Sequence, residues 1–186
     1  GGCYTGSQCA GTVLNGNYQA NTDSQLVSAS MELPTVLPGE VLHLNYWQWF
    51  SYSSHDTGQV RVSVWDDVLG SWQAWENVGT SAAGVGLVWT LADIDVTAYA
   101  GQRIRLGFLH TVGRNSYNHA SESTGWYIDD ITVTVRTPNF TGDFETGWAD
   151  WSASRGIWQV GTPTAGPGGC YEGSQCAGTV LDGIYE

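Results

Sequence analysis

The sequence predicts an all-β protein, an antiparallel two-sheet jelly-roll sandwich, and three observations support this prediction. Aromatic residues make up 12% of the 186 residues, and 25 glycines accompany a single methionine. Short segments of alternating polar and apolar residues recur along the chain, separated by Gly, Asn, Asp, Ser and Pro. No segment shows convincingly the apolar spacing of three to four residues that is typical of an amphipathic helix.

The first predicted strands have an inner and an outer face. Residues 24–33 predict an early strand, which a proline and a Pro-Gly turn then end. In residues 41–52 the alternation places Leu42, Leu44 and Tyr46 on one face. We expect this face to be buried and the opposite face to be accessible.

The same pattern continues to the end of the chain. Residues 59–65 predict a strand with alternate valines inside and Ser63 outside, followed by a tight hairpin connection. The Gly/Ala/Ser-rich residues 79–86 are predicted to form a loop. Further strands are predicted at residues 88–96, 103–110, 125–135 and 156–163.

A duplicated segment organises the chain. Residues 1–18 read GGCYTGSQCAGTVLNGNY and residues 168–185 read GGCYEGSQCAGTVLDGIY, an offset of 167 residues. Three of the 18 positions differ: Glu172 replaces Thr5, and Asp182 and Ile184 replace two asparagines. An offset of this size matches a whole domain, which predicts tandem domains and not a solenoid.

The duplication predicts where the domains begin and end. Two segments with the same apolar pattern need the same position in a fold, and one compact domain offers that position once. We therefore predict that residues 1–137 form a jelly-roll domain without its own opening strands. Residues 138–186 are then the opening segment of the next repeat, and Pro138 marks the boundary. If the tail is not accommodated within the chain, it is expected to pair with another copy.

Charge and composition exclude several classes of partner. The formal net charge is -12, and the six basic residues are all arginines. Nucleic acid is excluded because phosphate binding needs a basic surface. No run of 18 apolar residues is present, so no membrane span is predicted in this chain. An acidic surface is typical of extracellular proteins and of cation-binding proteins.

The four cysteines form two C-x5-C pairs, Cys3 with Cys9 and Cys170 with Cys176. A disulfide within each pair is the natural interpretation and implies an oxidising compartment, so a secreted, cell-surface protein is predicted. Two pairs of reduced structural thiols are the alternative. Each disulfide would stabilise the folded state by only roughly 2–2.5 kcal/mol, because the loop that it closes is short.

Taken together, these motifs resemble the MAM-like, concanavalin-type jelly-roll modules of secreted bacterial proteins, including the C-terminal domains of immune-inhibitor-A-type metalloproteases and anchored surface proteins. The motifs that carry the resemblance are GDFETGW, WQVGTP, GSQCAGTVLNGNY, DSQLVSASMEL, LNYWQWF, TGQVRVSVWDDVLGSW, DIDVTAYAG, RIRLGFLH and GWYIDDITV. They cover nearly the whole chain. The first two motifs lie at residues 139–163, after the family's closing strand, so the resemblance implies the same shifted register as the duplication.

A structural calcium ion is the predicted cofactor. Alternation places Asp129 and Asp130 on opposite strand faces, so at most one points inward, where a carboxylate needs a partner or a metal. Ca²⁺ takes six to eight oxygens, and Glu145 would contribute, with Asp23 a weaker candidate for a third ligand. The resemblance implies an ion shared by an opening-strand acid and a closing-strand Asp. Otherwise Asp129 and Asp130 cap turns or accept backbone hydrogen bonds.

The ten tryptophans lead to a further prediction, a glycan-binding platform. Outward aromatic rings stack on sugar faces, whereas a sandwich core also absorbs several tryptophans. The candidates for the platform are Trp47, Trp49, Trp65 and Trp75.

Catalysis is not predicted. The sequence has no HExxH, no GxSxG and no phosphate-binding glycine loop, and its four histidines lack metal-ligand spacing. The first functional hypothesis is therefore a structural or adhesive repeat of a long surface or filament-forming protein, whose partners are neighbouring copies joined head to tail. The second is a carbohydrate-binding accessory module of a secreted hydrolase, whose partner is a polysaccharide.

Overall fold

A computed structural model describes residues 2–113, 123–138 and 142–184, with the side chain of Leu87 left aside. Short polar turns separate the strands of this part of the chain, and a 3-10 turn at Thr97–Tyr99 joins two of them. The strands are β1 (Ala10–Gly11), β2 (Ser24–Val27), β3 (Met31–Glu32), β4 (Val41–Ser51), β5 (Thr57–Asp66), β6 (Ser71–Trp72), β7 (Glu76–Ala82), β8 (Val85–Asp95), β9 (Arg103–Thr111), β10 (Gly125–Arg136), β11 (Gln159–Gly161) and β12 (Cys176–Gly178).

Two antiparallel sheets form the sandwich, which confirms the predicted fold class. The first sheet has the order β1-β10-β4-β8. The second has the order β2-β9-β5-β6, with β3 also paired to β9 and β7 to β5. A separate two-stranded sheet joins β11 to β12. In the first sheet, β1 and β8 are therefore the two opposite edges.

The core lies between the two sheets and follows the predicted alternation. Leu42, Leu44 and Tyr46 of β4 are buried, and the intervening residues are partly accessible. The prediction fails at Ser63, which is fully buried because the hairpin after β5 covers it and its hydroxyl donates to the Gln73 carbonyl at 2.8 Å.

The predicted loop at residues 79–86 is also wrong. Residues 79–82 continue β7, and β8 already begins at Val85. A strand ladder needs only backbone N–H and C=O groups, which small residues supply as well as large ones. Side-chain composition alone therefore misplaced this segment.

Residues 142–184, which we call the tail, pack beside the edge strand β8. The Ala153 N–H donates to the Leu91 carbonyl of β8 at 3.1 Å, and Ala153 is buried. Arg136 at the end of β10 donates to Asp150 at 3.1 Å. Contacts between tail and sandwich thus exist within this chain, although β11 and β12 pair with each other and not with either large sheet. The assignment of residues 138–186 to a next repeat stays a prediction.

Candidate functional site

The two copies of the duplicated segment fold into closely similar loops. Each is closed by a disulfide, as predicted: Cys3 to Cys9 with Cα atoms 5.4 Å apart, and Cys170 to Cys176 with 5.6 Å. We call residues 3–9 the first loop and residues 170–176 the second loop. A glycine with positive φ lies at the same point of each loop, as Gly6 (+60°) and Gly173 (+72°). Similar sequence has given similar local structure, so differences between the loops reflect their surroundings.

The first loop packs on the outer face of the first sheet. The Tyr4 ring stacks on Trp47 of β4, with ring centroids 3.7 Å apart. Beside it, the Trp89 indole N–H of β8 donates to the Gly2 carbonyl at 3.3 Å. The counterpart of Tyr4 in the second loop is Tyr171, which is fully exposed. Among the described residues, Tyr171 therefore makes no counterpart of the contact between Tyr4 and Trp47.

Asp129 and Asp130 hold the other side of the first loop. The Thr5 N–H donates to Asp129 Oδ2 at 3.1 Å, and the Thr5 hydroxyl donates to Asp130 at 3.0 Å. The expectation that these carboxylates lie on opposite faces is wrong, because the ladder between β10 and β4 is irregular between Asp129 and Thr132 and Asp130 has a φ of +47°. This irregularity turns both carboxylates toward Thr5, and neither is buried.

The other two predicted calcium ligands bind elsewhere. Asp23 accepts the Val112 N–H at 3.0 Å at the edge of the second sheet, and Glu145 binds the second loop. Among the described residues, no three of the four predicted carboxylates lie within 4.8 Å of one another. The group that does meet this distance is Asp129 with the two sulfurs of the Cys3–Cys9 disulfide, which offer no thiolate for a metal. The four predicted ligands do not form one site.

Glu145 occupies the second loop as a bound carboxylate. Its oxygens accept the backbone N–H groups of Ser174 and Gln175, both at 2.9 Å, and the Ser174 hydroxyl at 2.9 Å. The N–H groups of Gln175 and Ser174 hold the pKa of Glu145 below its ordinary value. A Cβ on Gly173 would lie 2.2 Å from Glu145 Oε1, so the glycine leaves the space that the carboxylate fills.

The predicted glycan-platform tryptophans have different surroundings. One face of Trp47 carries Tyr4, and Trp148 of the tail lies edge-on with its centroid 6.5 Å away. On the second sheet, guanidinium groups lie over the rings of Trp65 and Trp75, with Arg105 4.7 Å from the Trp75 centroid. Arginine thus already occupies ring faces of Trp65 and Trp75 that a sugar would need.

Two clefts flank β1 and were not predicted. The outer cleft, of about 790 Å³, is lined by the first loop together with Trp49, Trp89 and Tyr127. The inter-sheet cleft, of about 390 Å³, opens between the edge strands β1 and β2 and reaches core residues such as Phe108. Leu14 lines both clefts and is 73% exposed. Trp49 was among the predicted residues, whereas the meeting of the other lining residues depends on strand order.

A buried polar cluster anchors the end of the first copy of the duplicated segment. The Tyr18 hydroxyl donates to Asp56 at 2.5 Å, the Ser53 hydroxyl also donates to Asp56, and the Gly113 N–H donates at 2.7 Å. Asp56 is 2% exposed. Beside it, His110 shares a hydrogen bond of 3.2 Å with the Tyr52 hydroxyl. An Asp in a turn-like sequence gave no sign of this role.

The known proteins that this chain matches are similar to it at low identity. No protein-family model matches it. Over 138 residues, 74% of this chain, it is 28% identical to bacillopeptidase F of Bacillus subtilis (strain 168), and this match spans 9% of that protein's length. A solved structure described as that of infectious bursal disease virus Gx strain aligns with a TM-score of 0.41 at 10% identity, covering 69% of this chain and 31% of the other. A likeness this low supports no functional inference.

Within the described part of the chain, no helix has the length and apolar character that crossing a membrane requires. The two disulfides fit an oxidising, extracellular environment.

Proposed function

We propose that this chain is a structural and adhesive repeat of a long extracellular protein, whose domains join head to tail. In this proposal the chain has no catalytic role. Its partners are neighbouring copies of the same repeat at a cell surface or in a filament.

One observation carries the proposal: among the described residues, each of the two nearly identical loops makes a contact that the other loop does not make. The first loop is packed on the sandwich through Tyr4 but binds no described carboxylate in the manner of the second loop. The second loop binds Glu145, whereas its Tyr171 is exposed. In a tandem array every loop makes both contacts. Each loop then lies between the Glu145 of an opening segment and the sandwich of a repeat. The motif resemblance to jelly-roll modules of surface proteins supports the same conclusion.

Electron microscopy tests the proposal directly. Antibodies against this chain are expected to label fibres or a regular surface layer on the native source, at intervals consistent with one domain. A glycan array probed with the full chain is the companion measurement. Strong glycan binding, together with no labelled fibre or layer, would overturn the structural role.

The outer cleft favours a second candidate, carbohydrate binding. Trp49, Trp89 and Tyr127 present aromatic surface beside the polar Ser7 and Gln8, the combination that binds sugar rings. The similarity to part of bacillopeptidase F, a peptidase by its name, is compatible with an accessory module. If glycan binding occurs, Trp89→Ala is expected to abolish it while Trp75→Ala leaves it unchanged.

Calcium binding is proposed in a narrower form than the sequence predicted. Asp129 and Asp130 point at Thr5, and the second copy carries Glu172 at that position. A third carboxylate placed there would repel the other two unless a cation bridges them. In this proposal Asp129 and Asp130 hold the ion, with water and backbone oxygens completing its coordination.

The variant Thr5→Glu tests this proposal by its melting temperature. With a chelator present, the variant is expected to melt several degrees below the wild type. Added Ca²⁺ should restore this loss, since an ion at about 100 times its Kd stabilises the folded state by about 2.7 kcal/mol. Asp67→Asn, at an exposed turn, serves as the control. Equal melting temperatures with and without Ca²⁺ in Thr5→Glu would rule the site out.

A further inference from the structure

Within the described residues, β1 pairs with β10 on one side and with no strand on the other, which we call its open side. The Thr12 N–H, just after β1, donates to the Trp126 carbonyl of β10 at 3.0 Å. Backbone groups alternate in direction along a strand, so Ala10 also faces β10, and the backbone groups of Cys9 and Gly11 face the open side. The inter-sheet cleft lies at this edge.

The counterpart strand β12 shows what this edge accepts. Gly178 and Cys176, the counterparts of Gly11 and Cys9, begin and end the ladder between β12 and β11. The centre of the ladder pairs Val160 with Ala177, the counterpart of Ala10. A strand like β11 is therefore matched in sequence and register to the open side of β1.

Two further differences mark the first copy as lacking this partner. A Cβ on Gly173 would meet the Glu145 carboxylate, whereas a Cβ on Gly6 would meet no atom of the described residues within 4 Å. Leu14 is 73% exposed, while its counterpart Leu181 is partly buried and its backbone receives hydrogen bonds from Thr164 and Ala165. The same residues are thus covered in one copy and uncovered in the other.

We propose that β1 and the first loop form a docking site for residues 143–161 of a second copy of this chain. The Glu145 carboxylate of that copy binds the N–H groups of Ser7 and Gln8, and its β11 adds to the open side of β1. Residues 9–11 and 176–178 both read CAG, so β11 exchanges one strand partner for another of the same sequence. This inference rests on the proposed head-to-tail assembly and names its contact.

The register predicts what fills the inter-sheet cleft. Directly opposed residues of an antiparallel pair have side chains on the same face. Ala10 packs against the core, so Val160 of the added strand would also face inward. Trp158 lies two residues before Val160 and therefore on the same face, opposite Thr12. Trp158 is 47% exposed in its own chain, and docking would move it into the cleft beside Leu14.

The positions of the tail and of the docking site favour a chain of molecules over a closed pair. The tail lies beside β8, and the open side of β1 is at the opposite edge of the same four-stranded sheet. Each molecule then presents its tail at one edge and the open side of β1 at the other, with the first loop on the outer face between them. Such a heterologous contact repeats without closing unless the rotation between copies completes a ring.

Two matched glycine variants of the full chain test the proposal by sedimentation velocity at a series of concentrations. The wild type is expected to form dimers and longer oligomers as concentration rises. In Gly6→Ala the new Cβ blocks the incoming carboxylate, so the variant should stay monomeric. In Gly173→Ala the Cβ displaces the chain's own Glu145 and frees it, so oligomers should form at about tenfold lower concentration. Both glycines have positive φ, so the backbone strain is shared.

A second pair of variants does not depend on the loops. Leu14→Ser is expected to weaken association about tenfold, because an apolar side chain loses its buried contact. Val68→Ser, at an exposed turn away from the docking site, should leave association unchanged. A wild type that is monomeric at every concentration, or equal behaviour of Gly6→Ala and Gly173→Ala, would overturn the docking contact. Labelled fibres on the native source would still support the proposed function, since a covalent linkage joins repeats without association between separate molecules.

Discussion

Replacing Asp56 with Asn is expected to lower the free energy of unfolding by about 3 kcal/mol. The carboxylate accepts hydrogen bonds from the Tyr18 and Ser53 hydroxyls and the Gly113 N–H, and it is 2% exposed. An amide at this position turns an N–H group toward donors and leaves buried hydrogen bonds unmade. Urea unfolding followed by tryptophan fluorescence measures the loss.

The same cluster predicts instability in acid. Burial is the largest single influence on Asp56 and raises its pKa, but the hydrogen bonds from Ser53, Tyr18 and Gly113 together outweigh it, so the pKa lies below 3.8. Burial also lowers the pKa of His110 below 6.5. Both groups bind protons more readily in the unfolded chain. Stability is therefore expected to fall as pH drops below 6.5, and further as it drops below 3.8 toward the folded pKa of Asp56.

The control for this prediction is Asp67→Asn, because Asp67 is an exposed acid at a turn. Its unfolding midpoint should match the wild type, and its loss of stability in acid should be the same. In Asp56→Asn the stability should depend less on pH below 3.8, since the group that titrates there has been removed. An Asp56→Asn protein as stable as the wild type at pH 7 would contradict the role assigned to the cluster.

Replacing Trp47 with Ala is expected to release both the first loop and the tail. Trp47 stacks on Tyr4 with centroids 3.7 Å apart and lies edge-on to Trp148 at 6.5 Å. Removing a half-buried indole that packs against two other aromatic rings is expected to cost about 2 kcal/mol. Hydrogen–deuterium exchange should become faster at the backbone amides of Thr5 and Ala153, which hydrogen-bond Asp129 and Leu91.

Trp75→Ala is the matched control for this measurement. Trp75 packs on Arg105 and Arg61 on the second sheet, away from both segments. Its removal should leave exchange at Thr5 and Ala153 unchanged. If Trp47→Ala alters neither amide, then Trp47 does not couple the first loop to the tail.

Local sequence predicted the parts of this protein that depend on neighbouring residues. The alternation around Leu42, Leu44 and Tyr46 predicted a buried face, because side chains of a strand alternate whatever the strand packs against. The cysteine spacing predicted both disulfides, because each bond closes a short loop of neighbouring residues. Ser63 escaped prediction, since the hairpin that covers it is a tertiary feature.

The candidate site was less predictable because it joins distant residues. The irregularity after Asp129 reversed the expected direction of one carboxylate, and alternation cannot anticipate an irregular ladder. Glu145 was predicted as a calcium ligand, and its partners in the structure are Ser174 and Gln175 of the second loop. Trp89 and Leu14 lie in clefts formed where strands meet, and no sequence pattern predicted this placement.

The sequence by itself determined that one segment occurs twice, and therefore that two loops of the same local structure exist in one chain. Only the tertiary structure decided that the first loop lies on the sandwich and the second loop binds Glu145. The physical reason is that a disulfide-closed loop obtains its conformation from its own residues, whereas its contacts depend on which strands reach it. The open side of β1 follows from that strand order and from nothing in the loop itself.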